Sequence, residues 1–271
     1  MPLNPVKIDP EDLCKDLQTI RQTSPLIHNI TNYVVMNNTA NALLALGASP
    51  VMAHAVEEVE DMVNLAGALV LNIGTLSPAW VEAMFKAAKK AGEKGIPVIL
   101  DPVGVGATPY RTRTALDLAR ETHPSIIRGN ASEIMALAQA GATTKGVDST
   151  SSSDHALESA RNLTVEFDTV VCITGRIDYI VDKDQQTIEV TNGHEIMPRV
   201  TGLGCTATAL CGAFSAVNSD FPKAAAHAMA IMGIAGEMSG KTAKGPGSFQ
   251  VGFIDALYRI SAQEIGHHLK P

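Results

Sequence analysis

Residues 68–102 read ALVLNIGTLSPAWVEAMFKAAKKAGEKGIPVILDP, and this stretch decides the fold class. Its opening, ALVLNI, is an unbroken apolar run rich in branched residues, the pattern of a strand buried on both faces. An Ala-rich pattern over 78–90 then reads as a helix. PVIL at 97–100 reads as the next strand, and it stops at Asp101-Pro102.

Working outward, a helix is expected near 111–121, a short strand at 125–128, a helix from Ser132, another over 153–167 and the strand TVVCIT at 169–174. Strand–helix alternation at this spacing predicts βαβ units, hence an α/β fold with a mostly parallel sheet covered by helices. From Ile177 the pattern changes. Residues 178–181 and 186–191 read as antiparallel strands around a polar turn at 183–185, and the chain from Cys205 onward is almost entirely helical. There is no internal repeat. The serine run 149–153 is too short for a linker and reads as a loop leading into a helix cap. One domain over 1–271 is expected.

With 271 residues, 45% hydrophobic and 18% charged, the chain can bury a sizeable core. A net charge of −7 repels a phosphate backbone and argues against nucleic-acid binding. The densest basic group, Lys86, Lys89, Lys90 and Lys94, has the spacing of a solvated helix face. The start, MPLNPVKIDPEDLCKDL, lacks the basic and apolar regions of a signal peptide, and no apolar run is long enough for a membrane span. Cys14, Cys172, Cys205 and Cys211 form no CxxC pair, which fits free thiols in a reducing compartment; the cytoplasm is expected.

In an open α/β sheet, ligands bind beyond the carboxyl ends of the strands. At the ends of the expected strands stand Asn72-Ile73-Gly74-Thr75, Asp101-Pro102-Val103-Gly104, Arg128-Gly129-Asn130 and Thr174-Gly175-Arg176. A run of such polar or Gly-rich ends suggests one composite pocket. The segment Val200-Thr201-Gly202-Leu203-Gly204-Cys205-Thr206 precedes a long Ala-rich helix starting near Cys205. It reads either as an anion cradle, with helix N–H groups facing a phosphate, or as a glycine turn capped by Thr206.

Asp101 at a strand end can hold Mg²⁺ directly or through water. Glu133 either joins it or simply favours a helix N-terminus that Asn130 or Ser132 caps. Arg128 is a phosphate clamp or an ordinary arginine. His28 packs, caps a helix or lines a pocket; Met52 is a core filler by default. Ala235–Thr242, AGEMSGKT, resembles a P-loop but follows a helical pattern where a P-loop needs a strand.

Together the segments HNITNYVV (28–35), ALGASPVM (45–52), LNIGTL (71–76), DPVGVGAT (101–108), IRGNASEI (127–134) and GLGCTATAL (202–210) resemble the hydroxyethylthiazole kinase family, in its order and across nearly the whole chain. The resemblance implies a ribokinase-like three-layer α/β/α fold. It implies transfer of the ATP γ-phosphoryl group to the primary hydroxyl of 4-methyl-5-(2-hydroxyethyl)thiazole, for thiamine synthesis. By the same resemblance Arg128 and Thr174 contact ATP, Asp101 and Glu133 organise Mg²⁺, and Met52 and Gly202 contact the thiazole. Gly202, Leu203, Gly204 and Cys205 form the anion hole, and three chains associate with substrate sites between them, which would account for an exposed Met52 segment. The wider superfamily places Asp where Cys205 stands, as the base for the alcohol proton. A helix N-terminus can lower a thiol pKa, so Cys205 either takes that role or only shapes the site. The rival readings are a kinase of hydroxymethylpyrimidine, a nucleotide-dependent NAD(P)H-hydrate dehydratase and a non-catalytic thiazole sensor.

Overall fold

A computed structural model describes residues 7–141 and 152–270. Eight strands form one sheet in the order β2-β1-β3-β4-β5-β6-β7-β8. β1 (Leu26–Ile30), β2 (Ser49–Val51), β3 (Ala68–Asn72), β4 (Val98–Asp101), β5 (Ile126–Asn130) and β6 (Val170–Thr174) are mutually parallel. β7 (Asp178–Val181) and β8 (Thr187–Val190) come next as antiparallel hairpin strands. The predicted change of pattern after Ile177 is therefore the switch from parallel to antiparallel pairing.

The strands β3 and β4 are buried at every position, as their unbroken apolar runs require. Alternate residues feed two cores. Leu69, Leu71, Val98 and Leu100 face one side, under α3 (Val59–Leu65), α4 (Pro78–Lys94), α5 (Pro109–Thr122), α6 (Ala131–Gly141) and α7 (Ser152–Phe167). Ala68, Val70 and Ile99 face the other. That side is covered by α1 (Pro10–Thr23), α2 (Met36–Leu46), α8 (Leu203–Ser215), α9 (Phe221–Gly240), α10 (Pro246–Arg259) and α11 (Ala262–His268). The layering is α/β/α.

Local chemistry sets the helix starts. Asp9, Ser77, Thr108 and Asp220 each cap a following Pro or Phe-Pro start by accepting a backbone N–H, and proline suits the first helical turn because its missing N–H would be unpaired there. α8 and α9 are apolar nearly all round and buried along most of their length, unlike a surface helix.

Two sequence expectations need amending. The lysine face of α4 is not merely solvated: Lys94 donates to the carbonyls of Val63, Asn64 and Ala66 at 3.1, 2.7 and 2.7 Å, closing the end of α3. Lys86 likewise reaches Val56 O at 2.9 Å and Glu60 at 3.0 Å. β1 and β2 at the N-terminal edge carry no long apolar run and were not expected from pattern. Most of the serine run 149–153 lies outside the described residues, and α7 begins at Ser152.

Candidate active site

The parallel register brings polar residues side by side at the carboxyl edge: Asn72 pairs with Asp101, and Asn130 with Thr174. Asp101 ends β4 and is fully buried. Its Oδ2 accepts from Asn72 Nδ2 at 2.7 Å and from Thr208 Oγ1, on α8, at 2.8 Å. Its Oδ1 has no hydrogen-bond partner and lies 3.9 Å from Arg128 Nη1. Burial raises the Asp101 pKa to about 6, despite the opposing pull of Arg128 and the two hydrogen bonds.

Arg128 projects from β5, its Nη2 donating to Thr174 Oγ1 on β6. Burial works against its charge, but Asp101 first, with Glu133 and Asp178, raises its pKa overall. Gly204 is what admits it: a Cβ there would sit 2.9 Å from Arg128 Nη1. Gly202, at φ 87°, is the N-cap of α8, so the helix starts at Leu203, two residues before Cys205. The first backbone bond of this turn is Thr206 N–H to Gly202 O at 2.8 Å. The N–H groups of Leu203, Gly204 and Cys205 are thus first-turn donors without intrahelical acceptors, an anion cradle beside the guanidinium.

Cys205 Sγ accepts from Asn32 Nδ2 at 3.4 Å, and Asn32 also donates to Asn72 Oδ1 at 2.8 Å. Burial, and then Asp101, push the thiol up to about 11. This reverses the expectation of a lowered thiol: desolvation and a neighbouring carboxylate outweigh the hydrogen bonds and the guanidinium that favour the thiolate.

Glu133 is more than a favourable first-turn acid. Its Oε2 accepts the Asn130 N–H at 2.9 Å while Asn130 Oδ1 accepts the Glu133 N–H at 3.0 Å, a reciprocal cap. Its Oε1 accepts Gly104 N–H at 2.9 Å, tying α6 to the loop after β4. Arg111 fastens the same loop from α5, donating to Val103 O at 2.7 Å, to Gly74 O at 3.2 Å and to Ile73 O.

A cleft of about 980 Å³ opens beyond β5 and β6. Arg128, Thr174, Gly202, Leu203 and Gly204 form its floor, Asp178 and the 191–198 segment one wall, and Met229, Met232 and Gly233 of α9 another. Burial raises Asp178 to about 6, and its Oδ1 accepts Gly175 N–H at 2.9 Å.

Of the residues expected from sequence, Arg128, Thr174, Gly202, Leu203 and Gly204 line the cleft; Asp101 lies buried behind Arg128, Cys205 is joined to Asp101 through Asn32 and Asn72, and Glu133 stands behind the loop. Met52 is not among them: it is half-buried rather than exposed and follows the edge strand β2. His28 packs, fully buried, with Nε2 2.8 Å from Ala53 O. The P-loop look-alike is the end of α9, preceded by helix, as expected. Reading the sequence assigned no role to Asn32 and Thr208, though both stand in quoted segments (28–35 and 202–210), and missed Arg111, which lies in none of them. Asn72 had a signal, its place at a strand end.

Among the described residues no group of three or more His, Cys, Asp and Glu is gathered for a metal. Mg²⁺ asks for less, one or two carboxylates with water and phosphate oxygens, and the unpartnered buried Oδ1 of Asp101 fits that demand.

Residues 17–263 match the model of the hydroxyethylthiazole kinase family. A hydroxyethylthiazole kinase of Syntrophus aciditrophicus is 59% identical over 98% of this chain and 98% of its own. The structure of a hydroxyethylthiazole kinase protein from Pyrococcus horikoshii is 46% identical, with TM-score 0.88 over 96% of this chain and 98% of that one. A ribokinase-like superfamily protein from Enterococcus faecalis shares the fold alone, at 12% identity and TM-score 0.62 over 91% and 88%. On sequence and on fold together, the chain belongs to the hydroxyethylthiazole kinase family.

Proposed function

We infer that this enzyme transfers the γ-phosphoryl group of ATP to the primary hydroxyl of 4-methyl-5-(2-hydroxyethyl)thiazole, yielding the thiazole phosphate used in thiamine synthesis. The observation that carries the reading is the meeting of Arg128 and the α8 N-terminus on the lining of a nucleotide-sized cleft, with the buried Asp101 carboxylate 3.9 Å behind the guanidinium. The alcohol oxygen forms the new bond to Pγ while the bond from Pγ to the ADP oxygen breaks. The charge on the moving group falls on first-turn N–H groups and a guanidinium already aimed at it.

Arg128 and Thr174 hold the ATP phosphates, and Gly202, Leu203, Gly204 and Cys205 hold the transferring group. Asp101, with Glu133 acting through water, would hold Mg²⁺, which shields the phosphate charge when bound. Cys205 receives the alcohol proton as it is released. Only the thiolate can take that proton; with the thiol pKa about 11 this form is scarce at neutral pH though strongly basic, and a loose transition state asks little of the base. Asn32, bonded to the sulfur, fixes where it sits.

The thiazole would lie against Gly202 and Met52. Met52 is two residues from His54, whose ring centroid is 4.6 Å from that of Trp80, and Tyr33 stacks on the same indole at 4.7 Å while 67% exposed. Such a half-covered aromatic cluster favours a homotrimer in which a neighbouring chain completes each alcohol site. The chain works as one domain, consistent with a single sheet running through both cores, and in the cytoplasm, where its free thiols remain reduced.

The test is ADP release from Mg-ATP with hydroxyethylthiazole, hydroxymethylpyrimidine, pyridoxal, ribose or no acceptor, with product mass read in parallel. Selective turnover of hydroxyethylthiazole is expected. Silence with every alcohol, from folded protein that binds ATP, would refute the assignment.

A further inference from the structure

Away from the reacting groups, the richest charged cluster surrounds Glu237 of α9, inside the P-loop look-alike. Its Oε1 accepts the Gly193 N–H at 3.0 Å and the Asn192 side-chain amide at 3.1 Å. Lys270 Nζ lies 2.6 Å from the same oxygen, and His268 Nδ1 3.3 Å from Oε2. Asn192 donates to the His268 carbonyl at 2.7 Å and accepts the Lys270 N–H at 3.2 Å. Lys241 Nζ reaches His268 Nε2 at 3.2 Å. Partial burial opposes ionisation of Glu237, but the bonds from Lys270, Gly193, His268 and Asn192 hold it below its usual range.

This cluster grips a wall of the cleft. Residues 191–194 have no regular structure, yet Asn192, Gly193 and His194 line the cavity. α9 takes the strap at near backbone distance. A Cβ at Gly233 would fall 2.5 Å from Asn192 O, one at Gly236 2.6 Å from Met197 Sδ, and one at Gly240 2.3 Å from the His194 ring. Spacings of three and four put these glycines on one helix face, beside Glu237. The strap is therefore seated by a smooth groove and tied by the Glu237 carboxylate, with Asn192 bonding directly to the C-terminal segment as well.

We propose that Glu237 is a positioning residue for the nucleotide: it tethers the Asn192–Gly193 strap to α9 and to the C-terminal tail, and so sets affinity for ATP without acting on the alcohol. This rests on the proposed kinase function, in which ATP occupies the cleft.

Two measurements test it on Glu237→Ala and Glu237→Gln: hydrogen exchange of segment 191–198 without nucleotide, and KM for ATP against KM for the alcohol and kcat. In Glu237→Ala, exchange of the strap rises and KM for ATP increases by about fivefold or more, with the alcohol KM and kcat within about twofold. Glu237→Gln keeps an acceptor for the Gly193 N–H, and its strap exchange and KM for ATP return to within about threefold of wild type. Equal losses for ATP and alcohol, or an alanine variant with unchanged ATP affinity, would overturn the proposal. Should the alanine variant not fold, Lys270→Ala removes one arm of the tether; a strap no faster to exchange in it would overturn the proposal equally. Because exchange is read without nucleotide, a strap that loosens in a protein that never phosphorylates the alcohol overturns the functional reading. An unmoved strap in an active enzyme overturns the tether alone.

Discussion

Cys205 and Asp101 are pushed toward their neutral forms by the same leading cause, removal from water. At about pH 8, a thiol with pKa about 11 is ionised roughly two orders of magnitude less than a free cysteine, whose pKa is about 8.5. Iodoacetamide labelling of Cys205, followed by peptide mass, should be slow to that degree and still accelerating above about pH 9; rapid labelling at neutral pH would contradict the burial argument. Cys205→Asp is expected to stay active, because a carboxylate can take the same proton, while Cys205→Ala loses about tenfold or more in kcat. An inactive, folded Asp variant that binds both substrates would remove Cys205 as the base.

Asp101 has a pH signature. Its pKa is raised to about 6, so it is anionic above that pH and neutral below it. A cation needs the anion, so kcat should fall through an acid limb centred near pH 6 at limiting Mg²⁺. Added Mg²⁺ should move the limb to lower pH. The stability effect has the opposite sign: the folded state holds this proton more tightly than the unfolded chain does. Asp101 thus lowers stability as pH rises from about 4 to about 6, and contributes no further change above. Asp178 titrates in the same range, and the limb should persist in Asp178→Asn.

At the scale of the element, α8 is where helix propensity and site geometry conflict. Gly204 occupies the second helical position, where alanine would ordinarily stabilise by roughly 0.5–1 kcal/mol. Here its Cβ would meet the end of Arg128, pushing the guanidinium away from Thr174 and Asp101 toward the cleft it lines. Gly204→Ala should therefore leave the melting temperature nearly unchanged while weakening ATP affinity by about tenfold, measured by isothermal titration. A variant that binds ATP normally would mean that Arg128 does not need that approach. The neighbouring α6 illustrates the converse, a helix whose capping acid, Glu133, also anchors the loop carrying Asp101-Pro102.

At the scale of the molecule, the two cores divide the labour. The helices α3–α7 cover one face of the sheet, and on the other α8 crosses it so that its N-terminus reaches the carboxyl edge. In the aromatic cluster near Met52 the single chain buries Trp80 and leaves Tyr33 exposed. Tyr33 contributes its backbone N–H to Thr75 at 3.1 Å, and its ring is largely in solvent. Tyr33→Glu should then fold normally and bind ATP, but sediment as a smaller species and lose alcohol affinity. Unchanged sedimentation in an active variant would count against the trimeric arrangement.

The sequence by itself determined the α/β class, because buried parallel strands must be apolar at every position and βαβ crossovers must separate them. It also drew attention to the strand ends carrying Asp101, Arg128 and Thr174, while leaving Arg128 open between a phosphate clamp and an ordinary arginine. Only the tertiary structure decided which sites touch. Asn32, Asn72, Asp101, Cys205 and Thr208 form one hydrogen-bonded chain although they come from distant segments, and no local pattern encodes their pairing. The direction of the Cys205 pKa was likewise a tertiary matter: a helix N-terminus is visible in sequence, whereas burial and the distance to a carboxylate are not. The same holds for Glu237: the helical pattern before its segment already argued against a phosphate loop, but only the fold set it opposite the wall it holds.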